Sequence, residues 1–265
     1  MSRPGKSPEY SQLFSNSVLN VTIAVGYDEG LAHEPEIQQL VSGLVTRSFK
    51  RFNPSGATSA QYKEAGIDSS TVDPDVTYFV RLLTYEGKSV KVVLEFITPD
   101  TPQAKEKFAR ALAQNEVVIY TGHGRYGSGP DFDDKHSKSG NFVIGSPYAK
   151  GKVDIGKNDL ARTKMLNDYQ LLFFDGCSTK YYVDDLRKIP KNKTTKNLDI
   201  VGATTELPWS SSAEDVLAFL DGVTGFNQFV DILSALNRNN REGSHDTKSY
   251  FFSDGIRDNP SITGP

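Results

Sequence analysis

The chain of 265 residues contains one cysteine, one tryptophan, two methionines and four histidines. A single cysteine forms no internal disulfide, so stability must come from a buried core, which a chain of this length can supply. With no second cysteine and no H-E-x-x-H, the common zinc-ligand patterns are missing. No G-x-S-x-G is present, which removes the serine elbow of the α/β-hydrolases. No apolar run approaches the roughly 20 residues that cross a bilayer. Lys and Arg total 30 against 33 acidic residues, a net charge of −3, so there is no basic excess for nucleic acid or an anionic membrane. Met1 is followed by polar residues and no apolar leader. The default location is cytoplasmic, although a processed secreted or periplasmic chain would read the same way.

What is present is an alternation of strand-like and helix-like segments. Residues 1–17 are polar and read as a poorly ordered lead-in, leaving 18–265 as a single domain. Val18 to Gly26 is rich in β-branched residues and reads as the first strand. Ile37, Leu40, Val41, Leu44, Val45 and Phe49, three and four apart, predict an amphipathic helix over 34–52. Residues 53–73 read as loop, and the runs from Val76 and from Ser89 as a hairpin. A helix is expected over 101–113 and strands at 116–121, 170–175 and 198–204. Short helices are expected at 159–169 and 178–188, further helices at 211–220 and 226–236, and a last strand near 249–252. Strands alternating with helices imply an α/β layer with a mainly parallel sheet.

Two of these strands end in chemistry. Val117-Val118-Ile119-Tyr120 runs into Thr121-Gly122-His123-Gly124, and Leu171-Leu172-Phe173-Phe174 runs into Asp175-Gly176-Cys177-Ser178. The C-terminal edge of an open α/β sheet is where ligands bind. A lone cysteine with a histidine supplied from elsewhere is a candidate nucleophile with its acid/base partner. His33, His136 and His245 lie in polar loops without this setting. Gly122, Gly124 and Gly127 also satisfy G-x-G-x-x-G, but Ser128-Gly129-Pro130-Asp131 opens no helix to receive a pyrophosphate. Asp131, Asp133 and Asp134 form an acidic loop open to calcium. It lacks EF-hand spacing, and a solvated acidic loop is the simpler reading. No metal site and no cofactor are read from the sequence; calcium enters only as an activator to be tested.

The pair Tyr120-Thr121-Gly122-His123-Gly124 and Asp175-Gly176-Cys177, with the order of elements from Val18 to about Leu236, resembles the caspase-like cysteine peptidases: caspases, metacaspases, clostripain-like enzymes and CHAT peptidases. The resemblance implies a caspase-like three-layer α/β/α sandwich around a mainly parallel sheet. It implies a cysteine endopeptidase in which Cys177 attacks a peptide carbonyl, His123 assists, and the backbone N–H groups of Gly124 and Cys177 hold the oxyanion. In that family the residue two before the cysteine lines the pocket for the side chain preceding the cut, and the resemblance implies the same of this chain. Here it is Asp175, which favours Arg or Lys, and the loops carrying Asp28 with Glu29 and Thr205 with Glu206 would flank it. The family dyad needs no third residue. The partner would be a protein or peptide, and Lys135, Lys138, Lys150 and Lys152 offer self-cleavage sites between His and Cys. Ser178-Thr179 and the absence of a prodomain or dimer signature leave the branch open. Two rival readings stand: a caspase-like interaction or scaffolding domain without productive catalysis, and a binding domain whose Cys and His are structural and far apart.

Overall fold

In the computed structural model, which describes residues 5–29, 33–124, 129–133, 139–144, 158–243 and 245–262, the elements follow in the order β1 (Gly5–Lys6), α1 (Tyr10–Leu13), β2 (Val18–Val25), α2 (His33–Thr46), β3 (Lys50–Phe52), α3 (Ser59–Ala65), β4 (Thr77–Tyr85), β5 (Lys88–Ile97), α4 (Ala104–Gln114), β6 (Val117–Thr121), β7 (Gln170–Asp175), α5 (Val183–Lys188), β8 (Leu198–Ala203), α6 (Ser212–Thr224), α7 (Phe229–Asn239), β9 (Phe251–Asp254) and β10 (Ser261–Ile262). Eight strands form one mixed sheet in the order β3-β4-β5-β2-β6-β7-β8-β9. The run from β5 to β8 is parallel throughout, and β3, β4 and β9 add antiparallel edges. Every residue of β6, β7 and β8 is buried, as expected for parallel strands covered on both faces.

Side-chain alternation divides the core. Ile23, Ile119, Phe173 and Val201 pack with Leu40 and Leu44 of α2, Val216 and Leu220 of α6 and Ile232 and Leu236 of α7. Ala24, Tyr120, Phe174 and Ile200 point the other way, into a cluster with Phe108 and Leu112 of α4 and Leu186 of α5. Helices therefore flank both faces. The sheet also reverses its direction of growth at β2. The chain places β5 on one side of β2 and then crosses to place β6 on the other. Ligands bind open α/β sheets at the C-terminal edge of such a switch point, here where the loops after β2 and β6 meet.

Several expectations are corrected. Residues 5–17 are not a loose lead-in: Tyr10, Leu13 and Phe14 are buried in the core, and β1 pairs with β10. The three apolar positions lie three and four apart within a polar segment, so one helical turn buries them all. The helix over 34–52 ends at Thr46. Ser48 takes a left-handed conformation, φ 65°, and Lys50–Phe52 pairs with β4 as an edge strand. The loop over 53–73 contains α3, opened by a reciprocal Thr58–Gln61 capping box. The helix over 159–169 is only a 3₁₀ turn at Asp159–Arg162. Asp131 is wholly buried rather than solvated. Asp134, Gly127, His136, Lys135, Lys138, Lys150 and Lys152 lie outside the described residues. No helix among the described residues is long and apolar enough to cross a membrane.

Candidate active site at the sheet edge

The ends of β6 and β7 are neighbours in register, Thr121 opposite Asp175. The loops that follow them stay in contact. The Gly122 N–H donates to the Asp175 carbonyl at 3.0 Å. A Cβ on Gly124 would stand 2.4 Å from the Cys177 carbonyl oxygen, so only glycine allows the two backbones this close. Gly122 also needs its own freedom, at φ 143°. Two tyrosine hydroxyls pin the first loop from below. Tyr120 donates to the His123 carbonyl at 3.0 Å and Tyr182 to the Gly124 carbonyl at 2.7 Å. Burial pushes the Tyr182 phenol far up, so it stays a neutral donor. The second loop is held by Ser178 N–H donating to the Thr205 carbonyl at 2.9 Å. Thr179 Oγ1 donates to the Phe174 carbonyl and accepts from Ala203 N–H.

The structure thus brings His123 and Cys177 onto adjacent loops at one edge. Cys177 is half-buried, and the side chain of His123 is 30 % exposed. Among the described residues, neither the Gly124 nor the Cys177 amide donates a hydrogen bond. No hydrogen bond joins the imidazole to the thiol among the described residues. The ring engages the loop after β2 instead, with Nε2 at 2.9 Å from Asp28 Oδ1 and 3.3 Å from Glu29 Oε2. The indole of Trp209 covers the ring at a centroid distance of 5.6 Å and a tilt of 37°. Asp28, Glu29 and His123 each offer a ligand atom within 4.8 Å of the others. Two carboxylates and an imidazole suit a divalent cation, and the same positions suit an Nε2–H shared with the acids.

Asp175 is 2 % exposed and points to the α2 and α6 face. Thr121 Oγ1 lies 2.9 Å from its Oδ2 and 2.8 Å from Oε1 of Glu36. Among the described residues, Asp175 Oδ1 and Glu36 Oε2 are buried without a hydrogen-bond partner. Burial, then the charges of Asp215 and Glu36, raise Asp175 well above the usual carboxylate range. Glu36 is pushed up to about 7, by burial first and by Asp28 as well, against its Thr121 hydrogen bond. Asp215 is also carried to about 7 by burial, although Asn240 and Asn239 donate to it at 2.6 and 3.0 Å. The sequence-expected pocket residues therefore separate. Asp175 joins Glu36 and Asp215 beneath the edge, Asp28 pairs with His123 while standing near Glu36, and Glu206 is exposed on the loop after β8.

The sequence reading named His123, Cys177 and Asp175 as candidates, and it did not anticipate the pairing of Asp28 with His123, the inward turn of Glu36 and Asp215, or the Trp209 cover. The only available signal was topological: residues after β2 and after β6 face each other wherever the sheet switches direction between them. Comparison with protein-family models and with characterised proteins finds no match for this chain.

Proposed function

We propose that this chain is a cysteine endopeptidase of caspase-like three-layer architecture, using Cys177 and His123 and cutting after Arg or Lys. The observation that carries the reading is the close packing of the 122–124 and 176–178 loops at the C-terminal edge of adjacent parallel strands, where the Gly124 and Cys177 amides have no acceptor among the described residues. Contact between these loops speaks against the reading in which Cys and His lie far apart. In the proposed reaction the thiol gives its proton to the imidazole and the sulfur attacks the peptide carbonyl. The oxyanion takes hydrogen bonds from the two amides. As the C–N bond breaks, the imidazolium returns the proton to the leaving amine, and water then hydrolyses the thioester.

The preference for a basic side chain rests on Asp175, Glu36 and Asp215. Two buried carboxyl oxygens in this group have no partner among the described residues, and a guanidinium or ammonium would supply the donors they lack. The absence of a His123–Cys177 hydrogen bond favours the second reading, an interaction domain with a misaligned dyad, although such bonds often tighten only with substrate bound.

Fluorogenic peptides with Arg, Lys, Asp or Leu before the cut, assayed with and without calcium beside Cys177→Ala, separate these readings. Turnover after Arg or Lys that disappears in the variant is the expected result. Turnover after Asp or Leu keeps the peptidase and discards the acidic pocket. If no peptide is cut and an electrophilic peptide probe leaves Cys177 unlabelled, the interaction reading stands.

A further inference from the structure

The loop after β2 is held as firmly as the two strand-end loops it faces. Gly26 N–H donates to the Thr121 carbonyl at 2.7 Å and Tyr27 N–H to the Asp131 carbonyl at 2.9 Å. The Nδ1 of His33, a buried residue whose ring is tilted 43° against Tyr27, lies 3.2 Å from both the backbone nitrogen and the carbonyl oxygen of Asp28. The side chain of Asp28 is fixed in turn by Glu29 N–H, which donates to Oδ1 at 2.9 Å. This carboxylate is only 16 % exposed. It faces His123 Nε2 at 2.9 Å, with Trp209 covering the ring.

We propose that Asp28 is the positioning residue of His123. It accepts the hydrogen of Nε2 and so presents Nδ1, the remaining nitrogen, to Cys177. An imidazole has two nitrogens, and the partner of one decides which tautomer the other shows. The inference rests on the cysteine-peptidase reading and adds a third member to its dyad. Its proton accounting is closed. The Cys177 thiol proton passes to Nδ1, Asp28 pairs with the imidazolium through the Nε2–H, and Nδ1 delivers its proton to the leaving amine. Asp28 neither gives nor takes a proton in this sequence. Glu29, at 3.3 Å and more exposed, is the weaker acceptor.

The chain suits a direct test because Cys177 is its only thiol. The alkylation rate of the whole protein by iodoacetamide therefore reads Cys177 alone, without any substrate. Rates are taken in chelator, so that no cation held by Asp28, Glu29 and His123 stands in for the hydrogen bond. Asp28→Asn keeps the shape but offers an N–H that can hold the wrong tautomer. At about pH 7, His123→Ala and Asp28→Asn are each expected to slow alkylation by about tenfold or more, with unchanged thermal melting, and Asp28→Glu to recover much of the rate. Toward a cleavable peptide, Asp28→Asn is expected to lower kcat on the order of 10²-fold with KM little changed. Slow alkylation in His123→Ala but wild-type rates in Asp28→Asn and in the double variant with Glu29→Gln would overturn the inference and leave the dyad standing. Wild-type rates in all of them would overturn the dyad, and the inference with it.

Discussion

Thr121 has one hydrogen to give and two carboxyl groups within reach. It donates to one, and its contact with the other is a hydrogen bond only if that carboxyl carries a proton. This agrees with the upward shifts of Glu36 and Asp175, and it fixes the sign of a pH dependence. Glu36 titrates at about 7 in the fold against an ordinary 4.5. Between those values the folded chain binds more protons than the unfolded one. The stabilising contribution is complete below the lower value and is lost as pH rises through the upper. The amount at stake is on the order of 3 kcal/mol for this group, and Asp175 and Asp215 act in the same direction. Urea unfolding midpoints should therefore fall between about pH 5 and about pH 8, and Glu36→Gln, which keeps the Thr121 contact without a titrating proton, should flatten that fall. Equal slopes in the two proteins would show that Glu36 is ionised throughout.

Each loop at the sheet edge is shaped by what its strand allows. β6 and β7 are buried on both faces, so their polar chemistry can begin only where the strands stop, at Thr121 and Asp175. This is why His123 and Cys177 were legible from the sequence: an apolar run that ends in Gly-His-Gly or Gly-Cys-Ser announces both the strand and its exit. Other elements were not legible for equally physical reasons. No residue of α3 is fully buried, and only Tyr62 and Ala65 pack against a small cluster, so its apolar pattern is too short to read and its Thr58–Gln61 capping box was the clearest mark it left. β3 was absorbed into the preceding helix because Phe49 and Phe52 prolong the spacing of α2. The partners of His123 and Asp175 come from α2, α6 and the loop after β2, contacts that depend on strand order rather than on any local pattern. The closeness of the two loops yields a direct expectation. In Gly124→Ala the new Cβ meets the Cys177 carbonyl, a backbone atom that cannot swing aside. The loops must part, and peptide turnover should drop by about 10²-fold or more while the protein still folds. Wild-type turnover in this variant would mean that the two loops need not touch for the chemistry.

The molecule as a whole is closed by its first residues. Tyr10 donates to the Asn227 carbonyl at 2.7 Å, and Phe14 packs against Tyr85 and Phe226 at centroid distances of 4.9 and 5.3 Å. The segment bridges the β4–β5 hairpin and the turn between α6 and α7, linking one end of the sheet to the helical layer. Phe14→Ala should cost about 3 kcal/mol, read as a lower urea midpoint at unchanged slope. An unchanged midpoint would return this segment to the status of a loose lead-in. Composition hid the role, because three apolar residues among Ser, Pro, Glu and Gln carry little average hydrophobicity yet fall on one side of a single turn. The sheet edge at the other end of this architecture holds the chain's only cysteine, and beside the imidazole it holds the only tryptophan. The indole is therefore a built-in optical reporter. Its fluorescence comes from one ring in contact with one imidazole, so occupancy of this edge can be followed by emission without attaching a dye, and the same sample can be titrated by thiol chemistry at the neighbouring loop.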